Sequence, residues 1–209
     1  MSANGVIQLV FYLAVLTALA IPLGAYMARV FEGDRVLASR VLGPLEQLIY
    51  RGLGRVARIE QGWKSYAKAV LGFSFVSWIV LYVLLRVQGP LPFNPEGFLA
   101  APWDVTFNTT TSFVTNTNWQ FYGGETTMSY LSQMAGLAVQ NFLSAAVGMA
   151  VLIAVIRGIR SRGGASLGNF WRDLTRSVLY ILLPLAVLGT LILVSQGAIQ
   201  TLSGRKKPR

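Results

Sequence analysis

The chain has 209 residues, 54% of them hydrophobic, and a formal net charge of +10. It contains neither cysteine nor histidine, which excludes thiolate or imidazole transition-metal sites, cysteine nucleophiles and Ser-His catalytic triads. The positive charges cluster in two segments between long apolar runs, so we expect them to orient the chain in a membrane and not to bind nucleic acid.

Four apolar runs are each long enough to form a membrane-spanning helix, because about 20 residues at about 1.5 Å per residue cross a hydrocarbon core of about 30 Å. The runs cover residues 6–28, 66–85, 129–156 and 177–196. We therefore predict an all-α integral membrane protein with four transmembrane helices in the lipid bilayer. The first run is expected to stay as a membrane helix, because residues 1–5 carry no Lys or Arg and do not resemble the start of a cleaved signal.

The distribution of Lys and Arg predicts how these helices are oriented. Segments 31–65 and 158–176 are rich in Lys and Arg, whereas segment 88–128 contains neither of them. By the positive-inside rule, the two basic segments are cytoplasmic loops of a multi-pass protein whose N-terminus lies outside. The basic tail 201–209 would then also lie outside, which the rule does not favour.

The connection between the second and third helices contains a predicted half-length helix. Residues 103–113 follow Pro102 and place Asp104 near their start, and both features are helix N-terminal signals. This helix would be about 16 Å long, half the thickness of the bilayer core. If it enters from outside, its partially negative C-terminal end points at the membrane centre, where it would stabilise a cation. We therefore predict a re-entrant pore helix.

The polar segment that follows this helix holds the candidate ion-binding residues, which are Val114, Thr115, Asn116, Thr117 and Asn118. In potassium channels, an extended strand at this place turns its backbone carbonyl oxygens inward to replace the hydration shell of the ion. Asn116 takes the central position, where asparagine enters the left-handed region more readily than other non-glycine residues. An external polar loop would have the same composition, and the pattern alone does not decide between a filter strand and a loop.

Three further residues are predicted to lie next to the pore. Gln120 comes just after the predicted filter strand, and Gln140 and Asn141 lie on a polar face of the third helix. A polar face inside lipid should meet protein or water, either through hydrogen bonds between helices or through contact with the ion. Potassium is the expected metal, and no transition-metal site, bound cofactor or catalytic residue is indicated.

Four stretches of the chain strongly resemble one protein family; they are residues 111–120, 124–127, 132–136 and 139–146. The family is the potassium-binding, channel-like subunit of the bacterial Kdp-type potassium-transporting P-type ATPase. The resemblance implies a subunit of the bacterial inner membrane in which four unlike helix-pore-helix repeats surround a potassium filter. It also implies high-affinity potassium import, with ATP hydrolysed by a separate P-type ATPase catalytic subunit and with small accessory membrane subunits as further partners.

The resemblance also implies a division of the chain. Residues 1–30 would be an additional N-terminal transmembrane helix, 66–157 the first repeat with filter strand 114–118, and 177–200 the first helix of the second repeat. The tail 201–209 does not look like the family's continuation, and a truncation or frameshift would explain why the chain corresponds to about the first third of the subunit. Because a filter needs about four strands around the ion, this chain is expected to hold one part of a site. The alternative is a non-transporting membrane scaffold or assembly subunit of a transporter complex.

Overall fold

A computed structural model of the chain describes residues 3–161, 166–198 and 201–204. Over these residues the chain is helical and contains no strand. Four of its helical segments are long and apolar enough to cross a membrane: Asn4–Glu32, Trp63–Arg86, Ser132–Arg160 and Phe170–Ser195. The predicted all-α architecture with four spans is therefore confirmed. Small parts of the predicted segments, at residues 1–2, 162–165 and 199–200, and the end of the predicted tail, at 205–209, lie outside the described residues.

The helices follow one another in a simple order. They are α1 (Ala3–Glu32), α2 (Ser39–Leu53), α3 (Trp63–Arg86), α4 (Trp103–Val114), α5 (Gly124–Thr127), α6 (Val139–Arg160), α7 (Phe170–Arg176) and α8 (Leu183–Ser195). A 3-10 turn at Gly54–Ala57 follows α2, a π-helical stretch at Ser132–Ala138 leads into α6, and another at Ser177–Leu182 joins α7 to α8. The third span is thus the first π-helical stretch with α6, and the fourth span is α7, the second stretch and α8.

A proline accounts for the irregularity in the fourth span. Pro184 has no N–H to donate to the carbonyl of Tyr180, and its ring would clash with that carbonyl in a regular α-helix. The chain widens into a π-helical stretch just before this proline, as is common where the hydrogen-bond ladder is interrupted. The carbonyl of Tyr180 instead accepts a hydrogen bond of 2.8 Å from the hydroxyl of Tyr26, which ties α1 to the fourth span.

Contacts at the two ends of the bundle show that the four spans alternate in direction. At one end, the Arg157 guanidinium donates to the carbonyl of Phe31 at the end of α1, at 3.3 Å. The same guanidinium bonds to Asp173 near the start of the fourth span, and Asp173 accepts from Tyr66 near the start of α3, so the first and third spans end where the second and fourth begin. At the opposite end, Arg86 at the end of α3 donates to the carbonyl of Ala101. We call these the basic end and the loop end. The alternation is the one predicted from the distribution of charges.

A buried ion pair closes the basic end. Asp173 is 1% exposed, and its two carboxylate oxygens accept hydrogen bonds from the two terminal nitrogens of Arg157 at 2.6 and 3.0 Å. The hydroxyl of Tyr66 donates to the same carboxylate at 3.0 Å. We call these three residues the basic-end cluster. Because they come from α7, α6 and α3, the cluster joins three spans.

The two basic segments are more structured than a prediction of loops implies. Segment 31–65 contains α2, whose residues Leu42 and Ile49 pack against the last turn of α1 and the fourth span. The helix that contains the fourth span begins at Phe170, before the apolar run at 177, and α7 is its charged first part. Its residue Asp173 is neutralised by an ion pair, so the helix starts earlier than the apolar run indicates.

Candidate ion-binding site

The connection between α3 and the third span is fastened at both of its ends by Gln88. This side chain is completely buried and uses both ends of its amide. Its nitrogen donates to the carbonyls of Leu99 and Thr127, each at 2.8 Å. Its oxygen accepts from the backbone N–H of Ser129 at 3.1 Å and from the hydroxyl of Ser132 at 2.9 Å. The chain therefore leaves and returns to the bundle at neighbouring points of the loop end.

Between these two points, α4 runs back along the bundle and packs against α3 and α6. Its Phe113 is buried in an apolar cluster with Leu81 and Leu137. The indole N–H of Trp78 donates to the hydroxyl of Thr111 at 3.0 Å, which fixes α4 to α3 near the C-terminal end of α4.

The C-terminal end of α4 lies beside the middle of the third span. The hydroxyl of Ser144 donates to the side-chain oxygen of Asn116 at 3.3 Å. Ser144 is about 18 Å along the span from Ser132 at about 1.5 Å per residue. Asn116 therefore lies beside the middle of the helix that forms the third span.

The residues that follow α4 do not form the predicted extended strand. Val114 is the last residue of α4, and Thr115 has a φ of −84° and a ψ of 3°. Asn116 and Asn118 both have positive φ, of 58° and 57°. Residues 114–118 therefore form a helix end and a tight turn, and the prediction of a strand is wrong for their local conformation. We call residues 115–120 the return segment.

The hydrogen bonds of the return segment explain this turn. The last carbonyls of a helix lack partners within the helix, and here the return segment supplies donors to them. The backbone N–H groups of Thr117 and Asn118 both donate to the carbonyl of Ser112, at 2.9 and 3.2 Å. The N–H of Asn116 donates to the carbonyl of Phe113 at 3.3 Å, and that of Trp119 donates to the hydroxyl of Ser112. An extended strand would leave these carbonyls without donors.

The carbonyl oxygens of the return segment are in the opposite situation. Since the N–H groups of residues 116–119 face the end of α4, the carbonyls between them point away from it. Those of residues 115–118 accept no hydrogen bond from any residue that the structure describes. A non-glycine residue in the left-handed region is uncommon and asparagine is enriched there, so Asn116 and Asn118 suit the turn that produces this arrangement.

The side chains of the return segment add further neutral oxygen atoms. The hydroxyls of Thr115 and Thr117 are 3.0 Å apart, and the amide of Asn118 donates to the side-chain oxygen of Asn116 at 3.2 Å. All four residues are exposed. No acidic side chain takes part, and the described ranges contain no group of three or more His, Cys, Asp or Glu that could hold a metal ion. Neutral carbonyl and hydroxyl oxygens at the negative end of a helix suit a cation that has lost its hydration shell.

The three residues predicted to flank the pore have different environments. Gln120 is exposed, and so is Asn141. Gln140 is 5% exposed and lines a groove between α3 and the third span with Val80 and Leu84. Adjacent residues on one helix thus have opposite surroundings, and the structure brings neither Gln140 nor Asn141 into a hydrogen bond with the return segment.

Ser112 is central to the geometry but was not among the residues singled out by the sequence pattern. Its carbonyl and its hydroxyl together accept three backbone N–H groups of the return segment. A small hydroxyl residue in the last turn of a half-length helix is the signal that points to it, since such a side chain can accept a hydrogen bond from nearby backbone.

The fold and this site together define the class of the protein. It is a multi-pass helical membrane protein in which a half-length helix and a turn with exposed carbonyls are inserted between two spans. A family model described as KdpA, potassium-transporting ATPase A subunit, matches residues 10–208. The chain belongs to this family, and the predicted resemblance is confirmed.

Individual relatives agree with this assignment. The chain is 57% identical over 206 residues to the potassium-transporting ATPase potassium-binding subunit of Sorangium cellulosum, covering 99% of this chain and 36% of that protein. The subunits of the same name from Brucella anthropi and Rhodospirillum centenum are 54% and 55% identical, over 97% and 96% of this chain. The chain spans about a third of the length of these relatives, at 36% and 35% for the latter two. The family match includes residues 201–208, in the tail that was predicted to lie outside the family.

Proposed function

We propose that this chain supplies one segment of the selectivity filter of an ATP-driven, high-affinity potassium importer. The observation that carries the proposal is the set of carbonyl oxygens of residues 115–118, which accept no hydrogen bond from any described residue, while the N–H groups of residues 116–119 are held by the end of α4. A potassium ion that has lost its water needs oxygen ligands of this kind. The relatives are named as potassium-binding subunits, which fits the same role.

In this proposal α4 is a re-entrant pore helix. It is too short to cross a bilayer, it begins at the loop end, and its last residues lie beside the middle of the third span. Irregular backbone at membrane depth is tolerated where it is buried in protein or lines a water-filled cavity. The exposed return segment meets that condition if it lines the ion pathway.

In this proposal, the filter is completed by segments outside these 209 residues. Potassium filters surround the ion with about four such segments, and the relatives are about three times as long as this chain. Each of these segments would follow a half-length helix of its own, as in the four-repeat, channel-like fold that the family resemblance implies. We place the basic end on the cytoplasmic side of the bacterial inner membrane, by the positive-inside rule.

The energy for import comes from other chains in this proposal. ATP is hydrolysed by a separate P-type ATPase catalytic subunit, and small accessory membrane subunits complete the complex. The names of the relatives, potassium-binding subunits of a potassium-transporting ATPase, support the role of a non-catalytic subunit for this chain. Potassium is the transported ion and no other cofactor is required here.

The proposal can be tested by cysteine protection, since the chain has no cysteine of its own. Thr117→Cys is introduced into the assembled transporter and labelled with a charged, membrane-impermeant maleimide. We expect potassium to slow the labelling and sodium at the same concentration to leave it unchanged. Glu125→Cys, at an exposed position beyond the return segment, is the matched control and should react equally in both salts.

If the chain is a non-transporting scaffold, potassium should not protect position 117 from labelling. A cysteine at position 117 that reacts at the same rate in potassium and in sodium, together with unchanged potassium uptake at low external potassium, would favour an external loop that contacts partner subunits. It would overturn the filter proposal.

A further inference from the structure

Helix α2 carries an apolar stripe that no described part of the chain covers. The stripe consists of Leu37, in the turn before the helix, and Val41, Leu45 and Leu48, which are 89%, 79%, 42% and 62% exposed. Their spacing of three or four residues places them along one side of the helix. In a water-exposed helix, a contiguous row of four large apolar side chains marks an interaction surface.

A second face of α2 determines where this stripe lies. Leu42 and Ile49 pack against Val30 and Phe31, in the last turn of α1. Glu46, on the same face, forms an ion pair of 3.2 Å with Arg176 of the fourth span. Charged residues of this kind mark the level at which a span leaves the hydrocarbon core, so α2 is held at the membrane boundary.

The third face of α2 is basic. Arg40 and Arg51 are both exposed. At about 3.6 residues per turn they are about three turns apart, so they lie on the same side of the helix, along the border of the apolar stripe. Arg35 precedes the helix, and Arg55 and Arg58 follow it. All five are exposed, and none forms a salt bridge with an acid in the described part of the chain. Positive charge is therefore concentrated beside the stripe without an internal partner.

We propose that α2 lies in the plane of the bilayer surface at the basic end, with its apolar stripe among the acyl chains and with Arg40 and Arg51 on the phosphates of anionic lipid headgroups. Two observations select lipid as the occupant. The helix that carries the stripe packs against the last turn of α1 and the fourth span, and the arginines beside the stripe complement an anionic surface. An apolar face beside a basic one is the arrangement that binds the interface between water and hydrocarbon.

The position of the stripe can be measured with single cysteines in the cysteine-free chain. Leu48→Cys on the stripe and Gln47→Cys on the polar face are both at exposed positions, so neither change disturbs packing. The full chain is reconstituted in vesicles, labelled with a polarity-sensitive fluorophore, and quenched either by nitroxide lipids or by iodide present on both sides. We expect the label at position 48 to be quenched by the nitroxide lipids and shielded from iodide, and the label at position 47 to behave in the opposite way.

The role of the arginines is measured with the same label at position 48. The nitroxide is placed on phosphatidylglycerol in a phosphatidylcholine vesicle, and the amount that gives half-maximal quenching is determined. Removing both charges with Arg40→Gln and Arg51→Gln should raise this amount by about fivefold for each arginine. Arg160→Gln is the control, because Arg160 is a similarly exposed arginine at the same end with an acidic partner, Glu32, at 3.8 Å.

Each other outcome overturns the proposal. Equal iodide quenching at positions 47 and 48 would show that the stripe lies in water. A label at position 48 that is shielded from iodide but not quenched by any nitroxide lipid would show that protein covers the stripe. Quenching that is the same with phosphatidylglycerol and phosphatidylcholine, and is unaffected by removal of the arginines, would show that the surface does not recognise anionic lipid.

Discussion

Two polar regions of the molecule differ in how their hydrogen-bonding groups are used. In the basic-end cluster, both oxygens of the buried Asp173 are occupied by Arg157 and Tyr66. In the return segment, the N–H groups are bonded to Ser112 and Phe113 but the carbonyls of residues 115–118 accept from no described residue. The first region is closed and joins the spans. The second is hydrogen-bonded on one side and open on the other, which is the arrangement expected of a ligand site.

The largest expected effect comes from breaking the buried ion pair of the basic-end cluster. Arg157→Met keeps a side chain of similar length but leaves the carboxylate of Asp173 buried without its partner. Breaking a buried ion pair from one side costs about 3–5 kcal/mol. We expect the free energy of unfolding in detergent to fall by about that amount, measured by denaturant or thermal unfolding.

Two further variants show whether the uncompensated charge is responsible. Arg160→Met removes the charge of an arginine whose side chain is 84% exposed and whose partner is 3.8 Å away, and such pairs contribute about 0–1 kcal/mol. Adding Asp173→Asn to Arg157→Met should recover part of the stability, since no charge then stays buried. If Arg157→Met and Arg160→Met were equally mild, the cluster would not be what closes the basic end.

A smaller effect is expected from the backbone of the return segment. Asn116→Val places a β-branched residue at a φ of 58°, which costs about 1–2 kcal/mol for an L-residue other than glycine or asparagine. Asn116→Gly adopts the same φ without strain. We expect Val to weaken potassium binding by the assembled transporter about tenfold or more, and Gly to weaken it less, as measured by the potassium dependence of uptake.

The effect of Asn116→Val should be confined to the return segment. Because the return segment packs less into the bundle, Asn116→Val should leave the global unfolding of the chain nearly unchanged while it speeds amide hydrogen exchange at residues 116–119. Equal potassium affinity for the Val and Gly variants would contradict a role for the positive φ at this position.

Much of the fold could be predicted because it depends on patterns that are local in sequence. Run length and hydrophobicity locate the four spans, and Pro102 with Asp104 locates α4, predicted at 103–113 and found at Trp103–Val114. What could not be predicted depends on partners distant in sequence. The helix of the fourth span starts earlier than its apolar run, in a charged part where Arg157 neutralises Asp173, and α2 is obscured because arginines interrupt its apolar positions.

The candidate site shows the same limit. The sequence directs attention to residues 114–118, and asparagine at position 116 is consistent with a left-handed residue. The backbone N–H groups of Thr117, Asn118 and Trp119 donate to Ser112, so the segment forms a turn and not the expected strand. These hydrogen bonds could not be predicted from the spacing of residue types. Gln140 and Asn141 have different surroundings although both are polar, because adjacent residues of a helix point in directions about 100° apart. Gln140 faces the groove beside α3, whereas Asn141 is exposed.

Removing one hydroxyl should produce a smaller and more local effect than changing Asn116. Ser112→Ala keeps the backbone carbonyl that accepts from Thr117 and Asn118 but removes the acceptor of the Trp119 N–H. Loss of one such hydrogen bond costs about 0.5–1.5 kcal/mol. We expect faster exchange of the Trp119 amide and a loss of potassium affinity of about threefold to tenfold. Thr106→Ala, which removes a hydroxyl from the other end of α4, is the control; a larger loss of potassium affinity from Thr106→Ala would argue against Ser112 as the anchor.

The smallest expected effect concerns Glu46, which is less buried than Asp173 but, unlike the carbonyls of the return segment, accepts hydrogen bonds from described residues. Burial acts to raise the pKa of Glu46, but hydrogen bonds from Tyr180, Tyr50 and Arg176 outweigh it and lower the pKa below its usual value of 4.5. A carboxyl with a lowered pKa stabilises the fold above its usual pKa, and this contribution is lost as the pH falls through the lowered value.

The unfolding temperature of the protein should therefore exceed that of Glu46→Gln near neutral pH, and the difference should shrink on acidification below about pH 4.5. Tyr50→Phe removes one of these three hydrogen bonds, the one of 2.7 Å from the Tyr50 hydroxyl. In this variant, the stabilisation by Glu46 should be lost at a higher pH. A difference between protein and Glu46→Gln that stays constant from neutral to acidic pH would mean that the carboxylate charge does not help to hold α2 on the bundle.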